Sequence, residues 1–218
     1  MANAPAPRRI LLAGATGLVG QELLHALLPD PTVGSVQVLA RRLPGVDHPK
    51  LATQVVNFAA LPALAGIDEV YLALGTTIKV AGSQAAFRAV DFDANLAVAR
   101  AARNAGARRL GLVSAMGADS GSRVFYNRVK GELEDALGAL GFEGLVIARP
   151  SLLTGDRAAL GQPARAGERI GGALAGVLRP FIPADYRPIR AVDVAHALLA
   201  HVPQARGTFI LRSGSMQR

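Results

Sequence analysis

Ile10-Leu11-Leu12-Ala13-Gly14-Ala15-Thr16-Gly17-Leu18-Val19-Gly20 decides the fold. The apolar start reads as a short buried strand and the glycine-punctuated centre as a turn. From Gly17 to about Leu28 the pattern is helical, with Leu18, Leu23, Leu24, Leu27 and Leu28 on one face. The first turn of a helix has unpaired N–H groups and a partial positive charge, so a turn aimed this way can hold a pyrophosphate. Gly14 permits the sharp turn, Gly17 lets backbone approach phosphates, and Gly20 lets helix and sheet pack closely. With Ala15, Thr16, Leu18 and Val19, they form the expected phosphate-binding segment. The spacing, G-x-x-G-x-x-G, is one residue longer than the common dinucleotide fingerprint.

Working outward, the pattern alternates. Arg9 to Ala13, Ser35 to Ala40, Thr53 to Asn57, Glu69 to Leu74, Arg109 to Ser114 and Leu145 to Ala148 read as strands. Between them, Gln84 to Asn104 and Ser122 to Leu140 read as long helices closed by Gly106 and Gly141. This predicts an α/β protein, a Rossmann-type doubly wound parallel sheet with helices on both faces. Ligands collect beyond the carboxyl ends of the strands in such folds. The expected organisation is a single domain over residues 1–218, with 151–190 as a small C-terminal substrate-side lobe. That lobe is expected to hold a helix over Glu168 to Leu178, followed by a helix over Ala191 to His201 and a strand over Gly207 to Leu211.

At 218 residues and half hydrophobic, the chain can bury a full core. It has no cysteine, which excludes disulfides, thiolate metal sites and a cysteine nucleophile. The four histidines, His25, His48, His196 and His201, lack carboxylates at ligand spacing, so no metal site is expected. The net charge of +8 comes from scattered arginines without interleaved aromatics, which favours a solvated basic surface over nucleic-acid binding. No apolar run is long enough for a membrane span. Met1 to Pro7 resembles no secretory signal, and a cytoplasmic address is the resulting expectation.

The end of the second strand carries Arg41-Arg42, where an acidic residue would accept hydrogen bonds from an adenosine ribose. The arginines can instead pair with a 2′-phosphate, so NADP(H) is expected over NAD(H). Asn57, ending the third strand, is expected at the adenine edge.

Ser114, Tyr126 and Lys130 form the chemical constellation. Tyr126 and Lys130 stand four apart and share a helix face. A nearby ammonium favours the phenolate and tunes the phenol for proton transfer to a carbonyl oxygen. Lys130 can also hold the nicotinamide ribose, and Ser114 can hydrogen-bond the carbonyl. Asp91 and Asp93 read as helix-surface charges.

Gly14-Ala-Thr-Gly17-Leu-Val-Gly20, Ser114 and Tyr126-x-x-x-Lys130, in this order, resemble the short-chain dehydrogenase/reductase superfamily. His48-Pro49-Lys50-Leu51, Leu74-Gly75-Thr76-Thr77 and Ala86-Phe87-Arg88-Ala89-Val90-Asp91 are similar to its atypical branch of Tat-interacting-protein-like oxidoreductases and bacterial relatives. The resemblance implies a Rossmann fold binding NADPH, with catalytic roles for Ser114, Tyr126 and Lys130. It matches Asn95 to an asparagine that anchors a water in a proton relay, although a polar helix flank is the alternative. Leu74, Gly75 and Thr76 are expected to line the cofactor, and Arg149-Pro150 to pass the nicotinamide amide. Arg149 can alternatively cap the end of its strand.

Two functions follow as expectations. One is reduction of a small-molecule aldehyde or ketone by a monomer or homodimer. The other is a regulatory or interaction module that binds NADPH with little catalysis. Arg157, Arg165, Arg169, Arg179, Arg187 and Arg190 fit either an anionic substrate or ordinary solvation.

Overall fold

The computed structural model describes residues 6–155 and 183–217. Seven parallel strands form one sheet. They are β1 (Arg8–Ala13), β2 (Val33–Ala40), β3 (Leu51–Val55), β4 (Glu69–Leu72), β5 (Arg109–Val113), β6 (Gly144–Arg149) and β9 (Gly207–Arg212), in the order β3-β2-β1-β4-β5-β6-β9. The order reverses between β1 and β4, the point at which loops from the two halves diverge and leave a crevice. Ala13 pairs with Leu39 on one side and Leu72 on the other, so the loops leaving β1, β2 and β4 share an edge.

Helices cover both faces, as the strand pattern dictates. Ile10 and Leu12 of β1 point to one face, and Leu11 and Ala13 to the other. The first pair joins a core built with α1 (Leu18–Leu27) and α6 (Ala191–His201). The second pair packs with α4 (Asn95–Asn104) and α5 (Phe125–Gly138) through Val98, Ala99, Leu133 and Leu137. Burying one such leucine is worth about 1.5–3 kcal/mol, so the two faces together fix the helices that carry the site.

Three details depart from expectation. The short helix α2 (Ile78–Ala81) is capped by Thr77, whose hydroxyl accepts from the Val80 N–H at 3.1 Å. The long helix expected over Gln84 to Asn104 has three parts: α3 (Gln84–Arg88), a π-helical turn (Ala89–Ala94), and α4. The third strand ends at Val55 because Asn57 enters a turn, its backbone bridging Ala60 and its side chain accepting from the Ala59 N–H at 3.0 Å.

After β6, β7 (Leu153–Thr154) pairs in parallel with β8 (Ile189–Arg190) in a second small sheet. Ala191–His201 is helical as expected, and α7 (Ser213–Met216) follows β9. The helix expected over Glu168 to Leu178 lies outside the described residues, as do Arg157, Arg165, Arg169 and Arg179. No helix among the described residues is long and apolar enough to cross a membrane.

Candidate functional site

The turn between β1 and α1 is built from close backbone approaches. Gly14 has φ +94°, and a Cβ there would stand 2.4 Å from the Ala73 carbonyl. A Cβ on Gly20 would stand 2.0 Å from the Gly14 carbonyl oxygen, so the helix can begin this close to the turn only without a side chain. The Gly17 N–H donates to the Gly14 carbonyl at 2.9 Å, which closes the turn. Gly17 caps α1 without a side-chain hydrogen bond, leaving the first-turn N–H groups for an anion.

A crevice runs from this turn in both directions. In its middle it is lined by Gly14, Thr16, Gly17, Arg41, Arg42, Gly75 and neighbours. Toward β3 it widens to about 480 Å³ between Arg41, Asn57, Phe58, Leu74, Val90 and Asp93. Toward β5 it narrows to about 120 Å³ between Leu18, Val19, Thr76, Asp91, Ser114, Tyr126 and Lys130. Leu74 lines all three parts, which makes the crevice continuous.

Most of the residues singled out in the sequence meet here. Arg41 and Arg42 are exposed and make no hydrogen bond or ion pair with other described residues. Ala15 does not line the crevice; its methyl is buried in the core beneath the turn. Pro150 is buried, and its carbonyl accepts from the Met116 N–H at 2.8 Å, tying the loop after β5 to the end of β6. Arg149 is committed elsewhere: its Nε stands 3.1 and 3.2 Å from the two carboxylate oxygens of Glu134.

Tyr126, half-buried on α5, packs its ring 5.4 Å from that of Phe87, which is fully buried. One turn along, Lys130 Nζ lies 2.7 Å from Asp91 Oδ1, with side chains 5% and 0% exposed. Asp91 Oδ2 accepts from the Thr76 N–H at 2.8 Å. Asp91 is therefore no surface charge, whereas Asp93 is exposed as expected. Burial pushes the Lys130 ammonium toward its neutral form, but attraction to Asp91 and, after it, Tyr126 outweighs that and holds its pKa above the ordinary lysine value.

The π turn makes this pairing possible, since the widened turn carries Asp91 while α4 continues from Asn95. Asn95 is fully buried, and its amide nitrogen reaches the carbonyls of Leu74, Val90 and Asp91 at 3.2–3.3 Å. It thereby ties the loosened turn to the loop after β4. Its Oδ1 is buried without a partner among the described residues.

Sequence reasoning missed Glu134. It stands four residues beyond Lys130 and eight beyond Tyr126, so one face of α5 carries all three. Glu134 is buried, accepts the Ser114 hydroxyl proton, and is held by Arg149. Serine has one proton, so while it goes to Glu134 the Ser114 oxygen offers the crevice only lone pairs.

A family model described as NAD(P)H-binding matches residues 14–173. The chain is 37% identical over 179 residues to "Protein fmp52, mitochondrial" of Emericella nidulans, covering 78% of this chain and 75% of that one. Further fungal proteins bearing the Fmp52 name are among its relatives, and they support the NAD(P)H-binding family without specifying the Tat-interacting-protein-like branch that the motifs suggested. The fold is shared with MoeE5 in complex with UDP-glucose and NAD: TM-score 0.67, 17% identity, covering 94% of this chain and 76% of that one. It is shared equally with a short-chain dehydrogenase/reductase superfamily protein of Agrobacterium tumefaciens with bound NAD: TM-score 0.68, 18% identity, covering 94% and 77%. The expected cytoplasmic address is corrected by the relatives' names, which place those proteins in mitochondria. That expectation rested only on the lack of a recognisable secretory signal, which does not bear on import into other compartments.

Proposed function

Because this chain belongs to the NAD(P)H-binding family, we propose that it is an NADPH-dependent reductase of a small aldehyde or ketone, with Tyr126 as the proton donor. The observation that carries this reading is the crevice joining the glycine turn and the exposed arginine pair to Tyr126, Lys130 and Ser114. The cradle fits a dinucleotide: a Cβ at Gly14 or Gly20 would collide with the backbone that shapes it. Gly14, Thr16, Gly17, Leu18 and Val19 would hold the pyrophosphate, Arg41 and Arg42 the 2′-phosphate, and Leu74 to Thr76 the wall between. When bound, NADPH supplies the hydride.

The chain's own residues handle the proton. The Tyr126 O–H breaks as its proton passes to the carbonyl oxygen, and the resulting phenolate is stabilised by the Lys130 ammonium one turn away. Lys130 has three protons, so the pairing with Asp91 leaves others for a ribose hydroxyl. Asn95 Oδ1, without a partner among the described residues, can accept from a water that re-protonates the site. Ser114 assists by donation only when its proton leaves Glu134.

That last contact favours a second reading, in which the chain binds NADPH as a regulatory or interaction module with little catalysis. A panel of aldehydes and ketones followed by NADPH absorbance separates the two. Tyr126→Phe is expected to abolish reduction, by about 10²-fold or more, while NADPH affinity stays within about twofold. Activity that survives this change removes Tyr126 from the chemistry. A wild-type protein that binds NADPH and reduces nothing in the panel favours the second reading.

A further inference from the structure

The Ser114 hydroxyl is turned in one direction by groups behind the crevice. It donates to Glu134, whose side chain is only 6% exposed. Arg149 faces both carboxylate oxygens of Glu134, its Nε at 3.1 and 3.2 Å and its Nη2 donating to Oε2 at 2.5 Å. The guanidinium has nothing but donors to give, so both oxygens act as acceptors and Ser114 supplies the proton in its own contact. Ser114 also lines the narrow part of the crevice with Tyr126 and Lys130, and there it shows lone pairs.

The two groups that meet a substrate are therefore of opposite sense: Tyr126 donates a proton, and Ser114 accepts a hydrogen bond. A lone carbonyl oxygen suits the first and is repelled by the second, since lone pairs would face lone pairs. A carbonyl with a hydroxyl on the neighbouring carbon satisfies both. We infer that the site takes an α-hydroxy aldehyde or ketone, and that Glu134 is the positioning residue that selects it by holding Ser114 as an acceptor. The inference rests on the reductase reading above and adds to it the substrate class and the residue that sets it. In the reaction the carbonyl carbon takes the hydride as NADPH becomes NADP⁺, and the carbonyl oxygen takes the Tyr126 proton. The product is a vicinal diol, and the phenolate takes a proton back from water. The neighbouring hydroxyl keeps its own proton throughout, hydrogen-bonded to Ser114.

The test compares 2-hydroxycyclohexanone with 2-fluorocyclohexanone; both substituents withdraw electrons, but only the hydroxyl donates. A site built to receive a donor predicts that the wild type favours the hydroxyketone by about tenfold or more in kcat/KM. In Glu134→Gln, Arg149 keeps the amide oxygen and the amide nitrogen stands where Oε1 met Ser114. That nitrogen donates, so the Ser114 proton turns into the crevice and the preference falls to about twofold or less. A merely structural role for Glu134 would lower both rates together and leave the ratio intact, which overturns the inference. Ser114→Ala supplies an independent measure should Glu134→Gln not fold: it removes the acceptor, and the preference is expected to fall to about twofold or less there too. Equal rates on the two ketones in the wild type, as expected if Tyr126 itself were the donor to Ser114, overturn the inference and leave the reductase reading standing. Reduction of neither overturns it as well, and the reductase reading is then decided by the wider carbonyl panel.

Discussion

Replacing Asp91 by Asn removes one charge from a buried pair while keeping the shape of the side chain. The partners are 2.7 Å apart and nearly inaccessible, so solvent screening gives little relief. An amide oxygen can still accept from the Thr76 N–H, but the amide nitrogen then faces the Lys130 ammonium, so both the charge and the acceptor on that side are lost. Leaving a buried ammonium without its partner costs about 3–5 kcal/mol. That is a large part of the roughly 5–15 kcal/mol that holds a domain folded. The loss depends on pH in a defined direction. In the wild type the Lys130 pKa is raised, so the pair's stabilisation is complete below the unfolded lysine value of about 10.4 and is lost as pH rises through the higher folded value. In Asp91→Asn, burial acts without its main opponent and the folded pKa falls below the unfolded one. Between those two values the unfolded chain binds more protons, so the variant gains stability with rising pH. Urea unfolding of both proteins should therefore show the widest gap near neutrality and a narrower one near about pH 10. Asp91→Asn with Lys130→Met, which buries neither charge alone, should recover most of the loss. A gap below about 1 kcal/mol, or one that does not change with pH, refutes the reasoning.

Two further outcomes follow from contacts around the crevice. Gly20→Ala forces a methyl to within 2.0 Å of the Gly14 carbonyl oxygen, which is backbone and cannot yield locally. It should lower stability by about 1–3 kcal/mol or more and weaken NADPH binding in a direct titration, because the phosphate turn must open. Glu134→Ala strands the Ser114 proton and the Arg149 guanidinium together; since Arg149 reaches solvent, the cost should be smaller than for Asp91, about 2 kcal/mol in denaturant unfolding.

The sheet was legible because each strand carries a run that only a buried position tolerates. Ile10 to Ala13 is apolar on both faces, and both faces are covered by helices. The π turn was not legible, because apolar spacing over Gln84 to Asn104 suits a continuous helix and does not register one widened turn. Asp91 was misread for a related reason. A carboxylate in a helical pattern looks solvated until its partner is known, and Lys130 arrives from a different helix. Glu134 was overlooked although it repeats the four-residue step from Lys130, because a glutamate near the middle of a long helix ordinarily faces water. Arg149 was assigned to the cofactor from the local motif, and its commitment to Glu134 appears only when β6 and α5 are brought together. The glycine turn, Tyr126, Lys130 and Ser114 were placed together correctly because each sits at the end of a strand or on the one helix face that such a sheet directs toward its switch point.

The central claim is that this crevice takes a 2′-phosphorylated dinucleotide on the turn of Gly14 to Gly20. Calorimetric titration of the wild-type protein with NADPH and with NADH tests it most directly. Two exposed arginines at the end of β2 predict tighter binding of NADPH, by about tenfold or more. NADH binding as tightly as NADPH, or no heat from either, contradicts the account.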